Sequence, residues 1–158
     1  MAPSVPDWAR LAAFIDGEGC LTLRARARNK YAATGRCCTP QMTIANTDLR
    51  LMQWLQSTFG GNVRRFNNGP KHQKQLYVWE PKYFEIATVL SGCLPYFIIK
   101  REQAEIIIAF KTLVVKNPHR TKPLSEEEKS EREGLYQRIH VLNSRGRTDV
   151  APSIYKAS

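Results

Sequence analysis

Two acids, Asp16 and Glu18, alternate with Gly17 and Gly19 where an apolar helical run gives way to an alternating strand. Pro6 and Asp7 suit a first helical turn, so the pattern predicts a helix over 6–15, ended by Gly17 and Gly19. The C-terminal end of a helix carries the negative pole of its dipole, and each acid there costs about a few tenths of a kcal/mol. A bound divalent cation would remove that cost. A solvated acid beside a glycine-terminated helix is the plainer reading of the same residues. A second chemical candidate, Lys100, opens a later helix, where a lysine is ordinarily just solvated.

The elements that must position these residues follow from periodicity. From Cys20 to Arg28 the pattern has period two: Thr22, Arg24, Arg26 and Arg28 share one face, and Leu21, Leu23, Ala25 and Ala27 the other. A second strand is expected over 36–46, with Met42 and Ile44 inward and Thr39, Gln41 and Thr43 outward. Pro40 lacks an N–H and suggests a bulge or an unpaired position. Thr47 is the expected N-cap of a helix with the stripe Leu49, Met52, Leu55 and Phe59, stopped by Gly60-Gly61. A third strand over 62–66 places Asn62, Arg64 and Phe66 on one face. A fourth, over 74–79, is apolar on both faces, so its core-facing side is not readable. Helices are then expected over 81–92 and 100–116. A last one is capped by Ser125 and Glu128 and runs to about Leu142, ahead of a basic tail. Length and order predict one α+β domain: a core over 6–117, and a C-terminal helix and tail over 124–158.

The formal net charge is +10 over 158 residues. Between Gly19 and Trp79 there are ten basic residues and one acid, Asp48. That region is mostly strand, so the charge points to a polyanion, nucleic acid first, met by a sheet. No apolar run is long enough for a membrane span, and the N-terminus carries no secretory pattern. Cys20, Cys37, Cys38 and Cys93 form no C-x-x-C pair and read as reduced thiols of an intracellular protein.

The stretch Leu11-Ala12-Ala13-Phe14-Ile15-Asp16-Gly17-Glu18-Gly19 resembles the motif of the LAGLIDADG homing endonucleases. Leu11, Ala12, Ile15, Asp16 and Gly19 match it. Phe14 and Glu18 are conservative replacements, Gly17 is a common variant, and Ala13 stands where Gly is usual. Two further stretches agree. Ala45-Asn46-Thr47-Asp48-Leu49-Arg50 is similar to the family's strand-to-helix step. Leu94-Pro95-Tyr96-Phe97-Ile98-Ile99-Lys100-Arg101-Glu102-Gln103-Ala104 resembles its L-P-Y/F-L-x-x-K-x-x-Q-A segment. The resemblance covers roughly 8–114. It implies the LAGLIDADG fold, αββαββα, with a four-stranded antiparallel DNA-binding saddle and C-terminal helices.

By that resemblance the chain is a site-specific double-strand DNA endonuclease using Mg²⁺ or Mn²⁺. Glu18 would be the metal ligand, with the Gly17 carbonyl beside it, and Asp16 would be structural, either capping or hydrogen-bonding the partner helix. Lys100 would stabilise charge near the scissile phosphate, with Asn46 and Arg50 as further active-site residues. Single-motif relatives are homodimers, so Leu11, Ala12, Phe14 and Ile15 are expected at a two-fold interface. Arg24, Arg26, Arg28, Gln41, Thr43, Asn62, Arg64 and Phe66 are expected to meet a long, roughly palindromic DNA site in its major groove. The alternative is a non-cleaving DNA- or RNA-binding protein, such as a maturase acting on its host intron RNA. The expected location is an organelle (chloroplast or mitochondrion) or a prokaryotic cytoplasm.

Overall fold

The computed structural model describes residues 2–25, 38–66, 74–116 and 124–144. Arg26, Arg28 and the expected loop and tail segments lie outside them. The first helix, α1 (Val5–Glu18), starts where the Asp7 carboxylate accepts hydrogen bonds from the Ser4 N–H and hydroxyl, at 2.9 and 2.6 Å. It runs three residues beyond the expected end, so Gly17 and Glu18 are helical and Gly19 is the cap. Gly19 is required there, because a Cβ would lie 2.7 Å from the Ile15 Cα and carbonyl oxygen.

Strands β1 (Gly19–Ala25) and β2 (Cys38–Asn46) pair antiparallel, as do β3 (Asn62–Phe66) and β4 (Leu76–Glu80). The hairpins join through β2 and β4, giving the sheet order β1-β2-β4-β3. Pro40 is accommodated without a bulge, opposite Leu23. β4 meets β2 only at Ile44–Asn46, so the missing Pro40 N–H interrupts no second ladder.

The helices cover one face of the sheet. Leu21, Leu23, Met42, Ile44 and Trp79 point into this core and are at most 2 % exposed. Each such side chain contributes roughly 1.5–3 kcal/mol of burial. The ambiguous fourth strand is settled by register. Trp79 pairs with Ile44 and Val63, so Tyr77 and Trp79 face the core and Leu76, Val78 and Glu80 face away.

The second helix, α2 (Leu49–Phe59), is capped by Asp48, not Thr47. The Asp48 N–H is already donated to the Asn46 side chain, and its carboxylate accepts the Arg50 N–H at 2.9 Å. Gly60 and Gly61 follow with φ of 70° and 82°, a left-handed pair that only glycine adopts cheaply. Trp79 donates its ring N–H to the Gly60 carbonyl, and Phe59 packs against Trp8, Trp54 and Trp79.

Helix α3 (Ile86–Cys93) begins later than expected. Residues 83–85 form a turn instead, held by the buried Lys111. Its ammonium donates to the Tyr83 carbonyl at 3.0 Å and lies 3.5 Å from the centre of the Tyr83 ring. Helix α4 (Arg101–Lys116) follows a short 3₁₀ turn at Leu94–Tyr96. Helix α5 (Glu126–Ser144) begins with the expected capping box between Ser125 and Glu128. It lies along the free edge of β1, where Asn143 and His140 donate to the Leu21 and Leu23 carbonyls. No described helix is long and apolar enough to cross a membrane.

Candidate active site

The C-terminus of α1 and the N-terminus of α4 meet, and each is closed by a side chain of the other. The Asp16 carboxylate accepts the backbone N–H groups of Ile98, Ile99 and Lys100, at 2.8, 3.2 and 2.9 Å. The Lys100 ammonium donates to the carbonyls of Ile15, Asp16 and Gly19, at 2.7, 3.1 and 2.6 Å. An anion at a helix N-terminus and a cation at a helix C-terminus both complement the dipoles. Burial pushes the Lys100 ammonium below the ordinary lysine range, while the Asp16 charge and the nearby Cys20 act in the opposite direction. The arrangement shows why Asp16 follows the apolar run: it holds its own chain's Ile98–Lys100 segment. Of the two roles expected for Asp16, the structural capping role is the one this geometry shows, made to the segment that leads into α4 of its own chain.

Glu18 is the final residue of α1, exposed, two residues after Asp16 and next to Gly19. Its Oε2 accepts from the Asn46 amide at 2.6 Å. Asn46 is itself oriented, because its Oδ1 accepts the Asp48 N–H at 2.8 Å, which turns Nδ2 toward Glu18. Among the described residues Glu18 has no cationic partner. It is a carboxylate in a fixed position, with acceptor capacity left over, at the head of a cationic sheet.

Arg50 reaches the same end of the sheet but is paired with Asp48, its nearer nitrogen 2.6 Å from Oδ2. That hydrogen bond holds the Asp48 carboxyl at about 2. The Arg50 side chain is largely exposed and Asp48 partly so, and an ion pair in such a setting is weak.

Asn46 bonds Glu18 directly, Lys100 bonds the carbonyl of the next residue, Gly19, and Arg50 lies at the start of the adjoining helix. The expected interface residues fare differently. Leu11, Ala12 and Ile15 are 0 % exposed in the isolated chain, packed in its own core, and Phe14 is half-buried against Trp54. A second copy cannot cover what this chain already covers. The face of α1 open to a partner carries Arg10, Ala13 and Gly17.

The outer face of the sheet carries those expected recognition residues that lie within the described strands. Thr22 pairs with Gln41, Arg24 with Thr39, and Cys20 with Thr43, all pointing away from the core. Asn62, Arg64 and Phe66 share that face by their register with Glu80, Val78 and Leu76. The Arg64 guanidinium lies 5.6 Å from the Phe66 ring centre. Sequence reasoning missed Glu80, the one acid on this face of the four described strands. Its signal was an acid directly after Trp79, hidden because the Leu76–Trp79 run is apolar at every position.

Glu18 with the Gly17 carbonyl would be a sparse oxygen set, and no group of three His, Cys, Asp or Glu is gathered among the described residues. Mg²⁺ fits such a set, since it keeps several waters and is commonly held by one or two carboxylates and a substrate phosphate. Asp16 is not available to it, because both carboxylate oxygens accept N–H groups from residues 98–100.

The fold is that of the LAGLIDADG homing endonucleases. The archaeal intron-encoded homing endonuclease I-Vdi141I, solved in complex with DNA, superposes with a TM-score of 0.70 at 15 % identity, over 88 % of this chain and 85 % of that one. The homing endonuclease I-CvuI, in complex with its target in the presence of calcium, superposes with a TM-score of 0.64 at 20 % identity, over 87 % and 82 %. The LAGLIDADG homing endonuclease I-SmaMI, bound to cleaved DNA, gives 0.59 at 23 % identity, over 81 % of this chain but 41 % of that one. No protein-family model and no curated protein matches the sequence.

Proposed function

We propose that this chain is a metal-dependent, site-specific endonuclease that cleaves double-stranded DNA as a homodimer on a long, nearly palindromic site. One observation carries the reading: Glu18 is fixed by Asn46, has no cationic partner among the described residues, and stands at the head of an open basic sheet. Its fold is shared with proteins solved on DNA, with Ca²⁺ or Mg²⁺ present in several.

Glu18 and the Gly17 carbonyl would hold Mg²⁺. Bound there, the ion would supply an activated water and charge stabilisation at a phosphodiester. Asn46 fixes the Glu18 carboxylate, so the ligand is oriented before DNA arrives. Lys100 neutralises the crowded carbonyls at the end of α1, which lets a carboxylate persist at that helix end, and it places positive charge near the substrate. Arg50 exchanges Asp48 for a backbone phosphate. Arg24 and Arg64 face the groove, where an arginine can hold a guanine edge or a phosphate.

The chain carries one motif and matches most of I-CvuI but under half of I-SmaMI. A homodimer formed across Ala13 and Gly17 would complete the second half of the site. Small residues at that face let two helix backbones approach closely.

The test is selection of cleaved sites from a random duplex library with and without Mg²⁺, for the wild type and Glu18→Gln. The wild type should yield a long, two-fold symmetric site only with Mg²⁺, and Glu18→Gln should bind that site uncut. DNA binding without cleavage by the wild type would instead favour a non-cleaving binder, and cleavage by Glu18→Gln would remove Glu18 from the role.

A further inference from the structure

Glu80 is out of place on a surface suited to phosphates. It ends β4, pairs with Asn62, and points to the outer face because its neighbour Trp79 points to the core. Glu80, Asn62 and Gln41 line one open pocket of about 250 Å³ between β2 and the end of β4. None of the three side chains makes a hydrogen bond or ion pair with a described residue. Lys82, on the same pocket, does not neutralise Glu80; its ammonium lies over the Phe84 ring, 5.8 Å from the centre. Three polar side chains with no hydrogen-bond partner among the described residues therefore line one pocket, and strand register turns all three to the outer face.

A carboxylate is repelled by the phosphate backbone, so a DNA contact for it must be a base edge. It can only accept hydrogen bonds, and the donors in the major groove are the amino groups of cytosine and adenine. Adenine sets an acceptor, N7, beside its amino group, and that atom repels a carboxylate. Cytosine presents its amino group alone. Amides read adenine well, because they donate and accept together.

We propose that Glu80 is a specificity-determining residue that accepts a hydrogen bond from a cytosine N4 amino group in each half-site, with Gln41 and Asn62 contacting the bases beside it. The proposal rests on the DNA-endonuclease reading given above. Two-fold symmetry makes the preference appear twice, once in each half-site.

The test profiles both bound and cleaved sequences from a random duplex library with Mg²⁺, for the wild type, Glu80→Gln and Glu80→Lys. The wild type should favour cytosine at one position per half-site by about tenfold or more. Glu80→Gln should move that position toward adenine and Glu80→Lys toward guanine, with other positions unchanged. Profiles identical at every position, or variants that differ only in overall affinity, overturn the role of Glu80. If the wild type binds but does not cut, the endonuclease reading fails while the bound-sequence profile still decides the cytosine contact. If the wild type binds no DNA, both fall. Thermal unfolding confirms that each variant is folded.

Discussion

Asp16 and Lys100 close each other's helix ends. The carboxylate at the foot of α1 takes three N–H groups ahead of α4, and the ammonium that opens α4 takes three carbonyls at the foot of α1. Six hydrogen bonds, each with a charged group on one side, tie segments more than eighty residues apart in sequence. Residues assigned to chemistry by resemblance are thus also structural supports, so their loss should register in folding before it registers in cleavage.

Asp16→Ala and Lys100→Met should each lower unfolding stability by about 2 kcal/mol, the scale of bonds to charged groups. Because the two clasps hold the same junction, the double variant should lose less than the sum, by at least about 0.5 kcal/mol. Urea unfolding of the four proteins measures the coupling. Strict additivity would show that the two ends are held independently.

Gly17 and Gly19 should respond oppositely to alanine. Nothing lies within 4 Å of a Cβ at Gly17, so Gly17→Ala should raise protomer stability by about 0.5–1 kcal/mol, as for a glycine inside a helix. The same methyl would push two α1 helices apart and weaken self-association. Gly19→Ala, with backbone 2.7 Å from the new carbon, should destabilise by about 2 kcal/mol or more. Thermal melts with light scattering over a concentration series read both effects.

Asn46→Leu should leave Glu18 in place but free to rotate. The Mg²⁺ concentration for half-maximal cleavage should rise roughly 10–100-fold, as when a group that orients a metal ligand is lost. DNA affinity without metal should stay within about twofold. An unchanged metal requirement would show that the Asn46 contact does not orient the ligand.

The Asp48–Arg50 pair makes the start of α2 sensitive to acid. The bond to Arg50 holds the Asp48 carboxyl at about 2, below its ordinary 3.8. A depressed carboxylate stabilises the fold above its ordinary value, and that contribution disappears as pH falls through the depressed one. Asp48→Asn keeps a cap-forming side chain and removes the charge. Its unfolding midpoint should therefore fall below the wild type at about pH 5 and meet it as pH approaches 2, in a urea series across that window.

Much of this was legible in residue order. The alternation of Cys20–Ala25 and Cys38–Asn46 gave both faces of the first hairpin, and glycine pairs and capping residues gave most helix ends. The end of α1 was misjudged because glycine stops a helix locally, whereas here Lys100 supports the carbonyls from far along the chain. The fourth strand was unreadable because Tyr77 and Val78 are both apolar, and only pairing with β2 and β3 separates their faces. The interface was misassigned for a similar reason. Leu11, Ala12 and Ile15 are the residues an apolar stripe selects, and this chain's own core claims them first.

The two margins of the sheet are unlike. His140 and Asn143 occupy carbonyls along the outer side of β1, so an incoming strand finds few acceptors there. The outer side of β3 has no such cover among the described residues, and templated stacking of one molecule on another would begin there. Arg64 and Arg65 sit in the middle of that margin. Two such strands brought together would set four guanidinium groups against one another, a repulsion that opposes edge-to-edge pairing at the uncovered margin.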